Sequence, residues 1–171
     1  MTQDTGETVA DQARDAYAVV VFRDEQGDWQ AGLLPETLGN DLGGLVAAVR
    51  QQPSPGGAFA LVDVADEFFV VVRAQAEQVR LLLSDVTAAV AWDLAAQVLD
   101  ELDLDVPGDD DLEEVWPAGE LGIFRDLGVD EMEMGAILSD HDAYADEMLG
   151  ALARRLGFGP AYERVVDAVV G

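Results

Sequence analysis

The stretch 103–114 (DLDVPGDDDLEE) holds the densest run of metal-capable side chains in the chain. Asp103, Asp105, Asp109, Asp111 and Glu114 fall at positions 1, 3, 7, 9 and 12 with Gly108 at position 6, which is calcium-loop spacing. Pro107 at position 5 removes one oxygen ligand, and the Val-Trp-Pro that follows Glu114 does not continue the flanking helix such a loop needs. The stretch therefore reads as a solvated acidic linker. His141 is the only histidine and lies between Asp140 and Asp142, where it could act as a base or a metal ligand. Its neighbours are explained as helix caps, and there is no second histidine, so a structural or surface role is the simpler reading. The absence of cysteine excludes disulfides, thiolate nucleophiles and sulfur-ligated zinc or iron–sulfur centres. No catalytic, cofactor-binding or metal residue is assigned, and no cofactor is expected.

The element that must organise the chain is residues 57–83, GAFALVDVADEFFVVVRAQAEQVRLLL. It predicts three consecutive strands, 58–64, 68–73 and 78–83, rich in Val, Phe and Leu and broken at Asp66-Glu67 and at 75–77. The middle run FFVVV is apolar at every position, so it suits a central strand covered by helices on both faces. Upstream, 17–23 (YAVVVFR) and 29–34 (WQAGLL) flank the turn DEQGD as a hairpin, and 38–51 has helical spacing weakened by Gly39, Gly43 and Gly44. Downstream, Ser84-Asp85 caps a predicted helix to about residue 102, with Val86, Val90, Leu94, Val98 and Leu102 on one stripe.

The expected fold is thus α+β, with a five-stranded, mainly antiparallel sheet in the order ββαβββα. That order is similar to profilin-like and roadblock-type domains, whose sheets serve as interaction platforms. The expected division is a disordered leader (1–16), a sheet domain (17–102), the acidic linker (103–114) and a helical C-terminal appendage (115–171). In the last, a loop with a short strand near 121–124 precedes a helix capped by Asp130 and Glu133, a stripe of Tyr144, Met148, Leu152 and Leu156, and a final helix opened by Pro160. Trp29, Trp92 and Trp116 read as packing residues.

Charge is the most unusual bulk property. Thirty-five acidic residues against nine basic ones give −26, and every cation is Arg. That field repels phosphate, so direct contact with nucleic acid or an anionic membrane is disfavoured, and a basic protein partner is favoured over both. No run approaches the ~18 apolar residues of a membrane span. The N-terminus MTQDTGETVADQARD is acidic and polar where a signal peptide would be basic and then apolar, so a cytoplasmic protein is expected.

Residues 59–73 (FALVDVADEFFVVVR), 80–95 (RLLLSDVTAAVAWDLA) and 119–138 (GELGIFRDLGVDEMEMGAIL) resemble the tRNA adenosine deaminase-associated protein family of high-GC bacteria. The resemblance runs from Tyr17 to Val170 and implies association with a tRNA adenosine deaminase, with no family site residues to carry over. A zinc nucleoside deaminase needs H-x-E and P-C-x-x-C. This chain has no cysteine, and its histidine is followed by Asp-Ala, so it lacks the deaminase's own ligand set. It is expected to be no enzyme but an accessory protein that meets a basic partner. Two other readings stay open: a metal-dependent enzyme built from the acids of 103–114 and His141, and a regulator of an unrelated partner. Oligomeric state is open as well.

Overall fold

The computed structural model describes residues 16–52, 57–75, 78–108, 116–140 and 142–170. The leader expected over 1–16 lies outside them except for Ala16, as do Asp109, Asp111, Glu114 and His141.

Alternating apolar residues in the strands have two destinations, and this decides the architecture. The strands are β1 (Ala16–Arg23), β2 (Trp29–Leu33), β3 (Ala58–Val64), β4 (Phe68–Gln75), β5 (Gln78–Leu83) and β6 (Ala118–Gly119). All pair antiparallel in the order β2-β1-β3-β4-β5-β6. Along β3 and β4 the even-numbered residues Ala58, Ala60, Val62, Phe68, Val70 and Val72 join one core, while Phe59, Leu61, Phe69 and Val71 join another on the opposite face. The first core is closed by helices α1 (Leu42–Arg50) and α2 (Asp93–Glu101) through Leu42, Leu45, Val49, Leu94, Val98 and Leu99. The second is closed by α3 (Glu131–Leu138), α4 (Ala145–Leu156) and α5 (Gly159–Val170), with Ile123 and Phe124 from the loop before them. The continuous apolar runs of β3 and β4 follow from this double cover.

Three details depart from the sequence expectation. The sheet has a sixth strand where five are expected, and the short strand sits at Ala118–Gly119, not near 121–124, which is a turn. Two residues are too few to leave a periodic signal, and β6 is specified instead by backbone geometry: Gly119 has φ +100°, and a Cβ there would run into the Leu81 carbonyl. The helix expected over 84–102 is split. Asp85 accepts from the Thr87 N–H and hydroxyl to start a 3-10 turn, Val86–Val90, and the chain extends at Trp92 so that its ring meets Phe68 before α2 begins. β-branched Val86, Thr87 and Val90 weaken a continuous helix there. On α4 the buried stripe is Ala145, Leu149, Leu152, Ala153 and Leu156, which leaves Tyr144 65% exposed just before the helix.

Ala at Gly119 should cost about 2 kcal/mol, from left-handed strain and the lost β5–β6 approach. Urea denaturation measures this, and an unchanged midpoint would mean that β6 is unpaired in solution.

Candidate functional site

Charged side chains seldom occupy strands covered on both faces, and two do so here. Arg73 closes the apolar run of β4 and is 2% exposed. Its Nη1 donates to the Ile123 carbonyl (2.6 Å) and to Asp126 Oδ1 (2.7 Å), while Nη2 donates to Asp126 Oδ2 (2.7 Å). The fork is bidentate, and the guanidinium also lies 5.8 Å from the centre of the Phe124 ring. Its Nε is buried without a partner among the described residues. The hydrogen bonds from Arg73 hold the Asp126 carboxyl below the usual carboxylate range. Arg73 thus pins the 120–128 loop to the second face of the sheet.

Outside this pair lies an open cleft of about 700 Å³ lined by Arg80, Glu120, Leu121, Arg125, Asp126 and Glu131. Arg80 donates from Nε to Glu120 (2.7 Å), and Arg125 pairs with Glu131 (2.8 Å). Each cation has an acidic partner, so the cleft is close to neutral on a chain whose formal charge is −26. Among its lining residues there is no hydroxyl, thiol or imidazole to act as a nucleophile.

The second charged residue is Asp63 in β3, also 2% exposed. Tyr17 donates its hydroxyl to Oδ2 (3.1 Å) and the Asp66 N–H donates to Oδ1 (2.9 Å). The Tyr162 hydroxyl, from α5, is buried in the same core and has no hydrogen-bond partner among the described residues. Burial pushes the Asp63 carboxyl up to about 6; the charges of Asp66 and Asp146 add to this, and the bonds from Tyr17 and Asp66 oppose it. Both tyrosine hydroxyls are raised, chiefly by burial. The turn beside Asp63 places Ala65 and Asp66 at φ +53° and +58°. From there Asp66 accepts from the first two backbone N–H groups of α4, Ala145 with its carbonyl and Asp146 with its side chain. A turn from the sheet thereby caps a helix 80 residues away in sequence.

Of the sequence candidates, Asp103 and Asp105 are exposed, with Asp103 at φ +60° beyond the end of α2. Whether the remaining acids of 103–114 approach His141 concerns residues outside the described set. Among the described residues no group of three or more His, Cys, Asp or Glu is placed to hold a metal ion. Trp29 packs between Phe59 and Phe158, Trp92 on Phe68, and Trp116 is partly exposed. Arg73–Asp126 and Asp63 were the residues that motif spacing did not single out. Their signal was an ionisable residue inside an otherwise apolar strand, in FFVVVR and AFALVDV.

A family model described as Rv3753c-like tRNA adenosine deaminase-associated protein matches residues 16–159. The chain is 42% identical over 155 residues to Protein Rv3753c of Mycobacterium tuberculosis (strain ATCC 25618 / H37Rv), covering 90% of this chain and 88% of that one. No solved structure matches. Among the described residues no helix is long and apolar enough to cross a membrane.

Proposed function

Because the chain belongs to the Rv3753c-like tRNA adenosine deaminase-associated protein family, we propose that it is a non-catalytic cytoplasmic accessory of a tRNA adenosine deaminase, held to that enzyme by its acidic surface. Family membership is the observation that carries this reading. Chemistry supports the accessory role: the chain has no cysteine and no H-x-E, so it cannot assemble the zinc site on which nucleoside deamination depends. An enzyme that binds tRNA presents a basic groove, and a protein of formal charge −26 is steered toward such a surface. A profilin-like use of the sheet as the platform would need an open face. Both faces here are covered by helices, which directs a partner to the helices and loops.

Calorimetry with the deaminase from the same cell tests the proposal. Binding is expected in the micromolar range or tighter at low salt, weakening by about tenfold between ~50 and ~150 mM salt as surface charges are screened. No complex at low salt would remove the accessory reading. A complex of unchanged affinity across that range would keep the partner and discard acidic steering.

A further inference from the structure

Where the β3–β4 turn, the start of the 86–90 turn and the residues just before α4 meet, the surface closes into a pocket of about 130 Å³. Phe68, Leu138, Ala145 and Met148 supply apolar walls, and Glu67 and Asp85 supply carboxylates. That volume is of the order of one long aliphatic side chain. Apolar walls with carboxylates suit a side chain with a hydrocarbon stem and a cationic head, which is the form of Lys and Arg. Tyr144, between the lining residues Ala143 and Ala145, is 65% exposed beside the pocket.

The charge balance around the pocket is one-sided. Asp140, Asp142, Asp146 and Glu147 are all exposed on the same loop and helix start. The ion pairs found among the described residues use Arg73, Arg80, Arg125, Arg154 and Arg155 with Asp126, Glu120, Glu131, Glu163 and Glu133, and involve none of these acids, nor Glu67 or Asp85. The Asp146 carboxyl is raised, first by burial and then by Asp66, so the neighbourhood already disfavours negative charge. A cation from outside the chain would relieve that repulsion.

We propose that this pocket is the docking point for an Arg or Lys side chain on a basic segment of a protein partner, with Glu67 and Asp85 binding its head. The proposal deepens the accessory reading and rests on it for the partner's basic character.

Two assays with the same variants separate the pocket from the partner. In the first, the full-length protein is titrated with a blocked hexa-arginine peptide and followed by NMR. The Ala143, Tyr144 and Ala145 amides and the Met148 methyl are expected to shift first. Glu67→Lys, an exposed site, and Ala143→Leu, which fills the pocket, should abolish that response, while Glu25→Lys in the distant β1–β2 turn should preserve it; thermal melts confirm that each variant is folded. Shifts spread evenly over all exposed acids, or a response that survives both pocket variants, would overturn the pocket.

In the second assay, each pocket variant should weaken binding to the deaminase by about tenfold and Glu25→Lys by much less. Wild-type affinity for both pocket variants would overturn the pocket and leave the accessory role standing. If the deaminase binds none of the proteins, the accessory role falls, and the peptide titration still decides the pocket.

Discussion

Asp126→Ala is expected to lower the unfolding free energy by about 3 kcal/mol, whereas Arg73→Met should change it by about 1 kcal/mol or less. The asymmetry follows from where each partner lies. Asp126 is 54% exposed and returns to water when Arg73 is removed, whereas Arg73 is 2% exposed and keeps only the Ile123 carbonyl and the Phe124 ring when Asp126 is removed. An uncompensated buried guanidinium is what makes breaking such a pair costly, and replacement by an apolar side chain of similar length avoids it. The lower end of the range applies because water can follow the truncated side chain in from the Asp126 side. Urea midpoints at constant slope measure both values. Equal losses for the two variants would mean that the pair itself, and not the stranded charge, carries the stability.

The difference in stability between wild type and Asp63→Asn should change by about 3 kcal/mol between pH 3 and 7, with the wild type losing ground as pH rises. The carboxyl is pushed up to about 6 from the 3.8 of an unperturbed group. Between those values the folded chain holds a proton that the unfolded chain has released. Stability from this group is therefore fully present below about pH 4, is lost as pH rises through about 6, and is flat above. The groups that face Asp63 are Tyr17 from β1, Asp66 from the turn, Asp146 from α4 and Tyr162 from α5, and none is cationic. Asn can still accept from the Asp66 N–H and can donate its amide to a tyrosine oxygen, so the variant should fold and be the more stable protein at neutral pH. For a chain of this size the shift corresponds to about 6 °C or more in melting temperature. Thermal melts of the two proteins at matched pH read it out directly, because the other carboxylates cancel in the difference. A difference that stays constant from pH 4 to 7 would show that Asp63 titrates as an exposed carboxylate.

The middle of the fold was legible because burial on two faces leaves a plain mark: FFVVV and AFALV have no polar side to hide, and the hairpin and meander are punctuated by polar turns. What the sequence obscured is long-range. Gln97 lies off the apolar stripe of α2 and looks like a solvated residue, yet it accepts from the Leu42 N–H and donates to the Asn40 carbonyl, joining the two helices of the first face. Asp66 looks like a turn residue and serves also as a cap for α4. Tyr144 fits an i,i+4 stripe with Met148 and Leu152, but the helix starts one residue later and presents Ala145 to the core in its place. Periodicity cannot choose between adjacent stripes when small residues compete with large ones. The candidate pocket had no sequence signal, because its walls come from segments nearly 80 residues apart.

The order in which the two faces are closed bears on how the chain is made. Strands β1 to β5 and the helices of the first face all lie before residue 102, while every helix on the second face follows residue 130. A ribosome delivering the chain from its N-terminus therefore exposes Val19, Val21, Phe59, Leu61, Phe69, Val71 and Leu82 together before their cover has been synthesised. At translation rates of about 5–20 residues per second the uncovered interval lasts several seconds, long compared with the time a small sheet needs to form. During that interval an apolar sheet face that also carries Asp63 and Arg73 is open to solvent, and like charge on an acidic chain opposes its association with neighbouring chains.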